Sequence, residues 1–149
     1  MLWVMRWTLS IGLFFVIVIA GIALFMLPSP AGAPTVGQNA QKAGLIAVDT
    51  PRIGDAVSSP LVISGKARGT WYFEASFPVE IRDAGGALLA AAPAQAQSDW
   101  MTIEYVPFYV SLAFPPQPAG GAGTVTLKKD NPSGLPEHDD KLVIPVTFK

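Results

Sequence analysis

The sequence predicts an all-β domain, an antiparallel β-sandwich of about seven short strands, preceded by a single N-terminal transmembrane helix. Three observations carry this. Residues 7–27 contain no charged side chain. From Leu45 onward, apolar side chains recur with a period of two, the period of a strand. Turn signals rich in Gly, Pro, Asn and Asp separate these runs, and no amphipathic helical segment competes with them.

The N-terminal element comes first. Residues 7–27 read WTLSIGLFFVIVIAGIALFML, and at about 1.5 Å per residue this crosses a hydrocarbon core of roughly 30 Å. Trp3 and Trp7 stand where interfacial aromatics are expected, and Arg6 is the only charged side chain before the span. The positive flank favours a short cytoplasmic segment at residues 1–6 and an extracytoplasmic remainder. A cleaved signal peptide is the rival reading, because Ala31-Gly32-Ala33 has the small-x-small form of a cleavage site. Against it, the apolar run exceeds the usual signal h-region, and Pro34 would follow the cut. Residues 28–44, PSPAGAPTVGQNAQKAG, carry one charge and no periodicity. They read as a flexible tether spanning on the order of 20–25 Å.

The strands follow in order over residues 45–149. The shorter candidates are residues 45–49, 61–67, 87–92 and 124–129. The sharpest is WYFEASFPVEIRD, residues 71–83. There Trp71, Phe73, Ala75, Phe77, Val79 and Ile81 share one face, and Tyr72, Glu74, Ser76, Glu80 and Arg82 the other. Truncating Phe73 or Phe77 is therefore expected to open a cavity between two sheets. Residues 100–114 alternate Val106, Phe108, Val110, Leu112 and Phe114 with Tyr105, Pro107, Tyr109, Ser111 and Ala113. The last strand places Leu142, Ile144, Val146 and Phe148 together. Pro78, Pro107 and Pro145 lie inside these runs, and since proline donates nothing to a ladder they are expected at edges or bulges.

Several of these residues carry a family likeness. The Ser59–Ala67 stretch SPLVISGKA, the Trp71–Glu80 stretch WYFEASFPVE and the closing IPVTF of Ile144–Phe148 resemble the bacterial spore-germination immunoglobulin-like domain family. The resemblance covers nearly all of residues 48–148, in order. It implies an extracytoplasmic immunoglobulin-like sandwich, often membrane-tethered or joined to other envelope domains. It implies no activity and carries over no catalytic residue.

Composition narrows the chemistry further. There is no cysteine among the 149 residues, which removes disulfides, thiolate catalysis and sulfur-ligated metal sites. A formal net charge of -1 gives no basic field for nucleic acid. No cofactor is implied. The segment KKDNPSGLPEHDD, residues 128–140, resembles a calcium loop only loosely. Aligning Gly134 with the glycine of the EF-hand template puts Lys129 where the leading carboxylate belongs. Asn131-Pro132-Ser133-Gly134 is instead a β-turn signature. His138 is the only histidine, and Asp139 and Asp140 beside it in sequence do not suit a triad, whose members come from separate elements. Glu74 and Glu80 would lie on the order of 20 Å apart along one strand, too far for a glycosidase pair.

The sequence therefore points to no catalytic and no metal-binding residue. It leaves Tyr72, Tyr105 and Tyr109 as a possible partner surface, if these outward positions share an exposed face. The expected function is that of a non-catalytic module anchored by one span in a bacterial cytoplasmic membrane and binding an envelope protein or polymer. The competing classes are a glycan-acting enzyme using Glu104 or Glu137 and a ligand-free spacer.

Overall fold

The computed structural model describes Gly37, residues 39–42 and residues 44–149. The transmembrane helix expected over residues 7–27, and the tether as far as residue 36, lie outside the described residues. Among the described residues no helix is long and apolar enough to cross a membrane.

The chain runs through β1 (Gln41–Lys42), β2 (Ile46–Thr50), β3 (Ala56–Val57), β4 (Leu61–Arg68), β5 (Ser76–Asp83), β6 (Leu88–Ala96), β7 (Tyr105–Leu112), β8 (Ala122–Lys128) and β9 (Lys141–Phe148). These pair in the order β1-β2-β4-β7-β6-β5-β8-β9-β3. The surface doubles over where β6 meets β7, through only Gln95↔Tyr109 and Ala96↔Phe108. That gives one layer of β1, β2, β4 and β7 facing another of β6, β5, β8, β9 and β3. The seven longer strands are those the period of two indicated. β1 and β3, two residues each, are too short to leave any period.

Alternation explains the core. Ile63 and Ala67 of β4 and Val106, Phe108, Val110 and Leu112 of β7 face Phe77, Val79 and Ile81 of β5, Val125 and Leu127 of β8, and Ile144, Val146 and Phe148 of β9, all buried. Edge-to-face aromatic contacts join the layers, with Phe77 and Phe108 ring centroids 5.0 Å apart. Gly65 lies on this inner face where β2 shifts register between Val48 and Thr50. A Cβ there would stand 2.8 Å from the Val48 Cα and 2.9 Å from the Phe108 ring, so the bulge closes over it only because no side chain intervenes.

Antiparallel pairing sorts the loops to two poles. One carries the β1–β2 turn and residues 69–75, 97–104 and 129–140. The other carries residues 51–55, 58–60, 84–87 and 113–121, together with Gly37, whose N–H donates to the Ile53 carbonyl at 2.6 Å.

Four expectations need correction. First, residues 71–75 are not strand. Gly69–Trp71 form a 3-10 turn, and the chain then closes tightly, with Phe73 and Ser76 exchanging backbone bonds of 3.0 and 3.1 Å. Glu74 (φ 49) and Ala75 (φ 63) are left-handed, as the two central residues of a type I′ turn must be. This breaks the period, so Trp71 and Tyr72 are both buried, while Phe73 is 40% exposed. Second, residues 100–104 are loop, and β7 begins at Tyr105. Third, Asn39–Lys42 belongs to the domain rather than the tether: Ala40 is buried and its carbonyl accepts the Val48 N–H at 2.8 Å. Fourth, the strand prolines are interior to the sheet order. Their missing donors fall where regular pairing stops. The Pro107 carbonyl accepts from Gln97 and the Pro145 carbonyl from Gly54, both at 2.8 Å and both beyond a ladder's end, and a residue's N–H and C=O point to the same side of a strand.

Phe77→Ala is expected to cost about 3–5 kcal/mol, because it removes a fully buried ring and leaves a cavity. Phe73→Ala should cost about 1 kcal/mol or less, as exposed positions do. Denaturant unfolding followed by tryptophan fluorescence distinguishes them, and equal losses at both positions would contradict the turn. Gly65→Ala should cost roughly 1–3 kcal/mol by overpacking, measured in the same experiment.

Candidate functional site

The three tyrosines do not share a face. Tyr72 is 4% exposed, its hydroxyl donates to the Val106 carbonyl at 2.7 Å, and burial pushes its phenol well above the ordinary range. It ties the 69–75 turn to β7. Tyr105 and Tyr109 stand on the outer side of β7, four residues apart in a strand and so on the same face. Their neighbours on β4 are set by register: Arg68↔Tyr105, Lys66↔Pro107 and Ser64↔Tyr109.

These two tyrosines differ in role. The Arg68 guanidinium lies over the Tyr105 ring, 4.0 Å from its centroid, and the Lys66 ammonium is 5.3 Å away. Such cation–π contacts are worth about 0.5–1 kcal/mol at exposed sites, and they make Tyr105 a half-buried platform. Tyr109, opposite Ser64 and Gln95, has no aromatic or cationic side chain directly across from it and is 47% exposed. Its ring is open to a partner.

The surface continues past the end of β7. Arg68 donates from Nε to the Gly44 carbonyl at 3.0 Å and from Nη1 to the Ile103 carbonyl at 3.2 Å, fixing the 97–104 loop beside the tyrosines. Gly69 makes this possible: a Cβ there would collide with the Trp100 and Thr102 carbonyls, and its N–H donates to the Glu104 carbonyl at 3.1 Å. With its backbone clamped, the loop holds Met101 and Ile103 at 76% and 75% exposure. Sequence reasoning missed both, because the apolar character of residues 100–104 was absorbed into a strand. The available signal was phase: Met101 and Ile103 fall out of step with the inward set of Val106, Phe108 and Val110.

The 128–140 segment forms a turn, as its Asn-Pro-Ser-Gly signature indicates. The Gly134 N–H donates to the Asn131 carbonyl at 3.2 Å and Gly134 is left-handed at φ 66. Its polar groups engage one another. Asn131 Nδ2 donates to Asp139 Oδ1 at 2.7 Å, and the Ser133 hydroxyl meets His138 Nδ1 at 3.0 Å. The Asp139 carboxylate oxygen thus bonds Asn131 rather than the imidazole. Among the described residues no group of three or more His, Asp or Glu side chains is placed to hold a metal ion.

The carboxylates weighed for glycan chemistry are dispersed. Glu74 occupies the left-handed turn, Glu104 pairs at 3.5 Å with Arg68, and Glu137 lies in an exposed 3-10 turn. Glu80, on the outer side of β5, is held by Lys128 on β8 and by Arg82, whose Nη2 is 2.9 Å away. The Lys128 ammonium, with Arg82, keeps its carboxyl below the usual range against the opposing effect of burial.

A scan against protein-family profiles matches residues 45–134 to the immunoglobulin-like domain of bacterial spore germination. The chain belongs to this family. The match ends inside the 129–140 loop, and β9 completes the sandwich beyond it. A search of curated proteins found no match.

Two outcomes follow. Tyr72→Phe should cost about 1 kcal/mol, the net worth of one buried hydrogen bond, in thermal or denaturant unfolding. Because the folded-state carboxyl of Glu80 is depressed, its contribution is complete above the unfolded carboxylate pKa and is lost as pH falls through the folded value. The stability gap between wild type and Glu80→Gln should therefore be full at neutral pH and shrink below about pH 4. A gap independent of pH down to pH 2 would show that the ion pairs contribute nothing.

Proposed function

We propose that the protein is a non-catalytic, membrane-tethered extracytoplasmic module. In this reading, residues 7–27 anchor it in a bacterial cytoplasmic membrane, and it binds an envelope protein or polymer through the outer side of β7 and the adjoining 97–104 loop. One observation carries the proposal: Met101 and Ile103 project into solvent from a loop clamped by Arg68 and Gly69, and Tyr109 does so from the paired β7 strand beside it. Tyrosine, methionine and arginine are enriched at the centres of protein interfaces, and preordered side chains lose little entropy on binding. The family supports a germination-associated immunoglobulin-like domain, and its members are generally non-catalytic.

The test is in-cell photocrosslinking from position 109 in the full-length chain, followed by identification of what is captured. Met101→Ser with Ile103→Ser should reduce capture roughly tenfold while leaving unfolding unchanged. Undiminished capture would remove this surface from consideration. Topology is tested separately. Protease added to spheroplasts should digest residues 34–149 with the membrane intact, and protection until lysis would reverse the orientation.

A further inference from the structure

β6 leaves most of one edge unpaired. β5 pairs with it from Ser76↔Gln95 to Arg82↔Leu88, but on the other side β7 reaches only Gln95 and Ala96. One further bond runs from the Gln97 N–H to the Pro107 carbonyl. Among the described residues, positions 88–94 have no strand on that side. The register also gives the direction of the backbone groups. Pro78 stands opposite Pro93, and neither carries an N–H, so this is a non-hydrogen-bonded position of the β5–β6 ladder. The Pro93 backbone therefore faces the open edge. By alternation so do the N–H and C=O of Ala91, just as those of Gln95 face Tyr109.

This edge is guarded unlike the others. β1 and β3 terminate the sheet order with two residues each, and shortness is itself a protection against strand addition. β6 has nine residues, and from Ala84 to Ser98 the chain carries no charge. Charged side chains, lysine above all, are the usual guard, and here Pro93 stands alone. The core beneath is unfinished as well. Phe77, Val79 and Ile81 on the neighbouring β5 are fully buried, whereas Leu89, Ala90 and Ala92 are only partly covered.

The geometry points to β6 as a self-association edge that takes a second copy of this chain by antiparallel β6–β6 pairing centred on Ala91. In a two-fold pair the central residue opposes its own mate and its neighbours oppose each other's, so a charge near the centre would meet a like charge at a cost. Residues 84–98 contain none. Ala91 exchanges two backbone hydrogen bonds with its mate, and the Pro93 carbonyl adds an acceptor on each side. A register centred on Pro93 would have no donor in its central pair, which favours the one centred on Ala91. The same lack of charge gives a charged peptide of another protein nothing to complement, which is why a second copy is the occupant.

The inference does not depend on the tyrosine surface, and its test uses the full-length chain. With no native cysteine, Ala91→Cys is a single-thiol probe. In intact cells treated with a short bis-maleimide it should give a covalent homodimer. Val143→Cys, exposed on β9 of the same layer, should give roughly tenfold less. In sedimentation equilibrium of the detergent-solubilised chain, Ala91→Pro should weaken dimerisation roughly tenfold or more by removing both central donors. Circular dichroism should be unchanged, since that N–H points away from β5. If Ala91→Pro fails to fold, Ala91→Lys on the exposed face supplies the like-charge test in its place. The proposal is overturned by a crosslink to a different protein in place of the homodimer, by no crosslink from a thiol that labels freely, by equal dimer from both cysteines, or by a folded Ala91→Pro or Ala91→Lys protein that dimerises like wild type.

Discussion

Phe77 is the joint on which the domain turns. Its ring meets Phe108 of the opposite layer at 5.0 Å, Tyr72 at 5.1 Å and Trp71 at 6.5 Å, each edge-on. Trp71 and Tyr72 lie on the turn that carries the chain from β4 in one layer to β5 in the other. The Tyr72 hydroxyl then bonds back to β7. One aromatic cluster thus fixes the distance between layers and the path of the crossover. In a chain without cysteine, no disulfide shares that task, and the layers stay together because apolar area stays out of water.

The candidate surface inherits its order from the same region. The 69–75 turn brings Gly69 against the 97–104 loop, and the close backbone approach there leaves no room for a Cβ. Arg68, one residue earlier, covers Tyr105 and bonds the Gly44 and Ile103 carbonyls. The result is a set of exposed apolar side chains on backbone that does not need to be ordered on binding. Charge plays the complementary part on the outside. Lys42 pairs with Asp140, joining β1 to the 129–140 loop, and Glu80 ties β5 to β8 through Lys128. Burial alone would raise the Asp140 carboxyl, yet the Lys42 partner leaves it below its ordinary value.

The edges show how the sandwich manages strand exposure. Two edges end in two-residue strands. The prolines of β7 and β9 sit where ladders stop, so the donor each one lacks is not missed. The alanine-rich β6 is the exception, long and uncharged on one free side.

The all-β class, the seven longer strands, the family and the turn at residues 131–134 are all legible from the residues alone. Strict alternation, as in Val106, Phe108, Val110 and Leu112, has one structural meaning when one face is buried, and Asn-Pro-Ser-Gly encodes its turn locally. Where alternation fails is settled by the folded chain. Glu74 and Ala75 adopt left-handed conformations with no glycine or asparagine to announce them, so nothing local ended the apparent strand at residue 75. That single turn shifts the phase, burying Tyr72 and exposing Phe73. The candidate surface was half legible for the same reason. Tyr105 and Tyr109 follow from the period of β7, but Met101 and Ile103 are displayed because a glycine 32 residues from Met101 lets their loop pack close. The free side of β6 is likewise invisible in one dimension, since it depends on where β7 turns away rather than on any residue of β6.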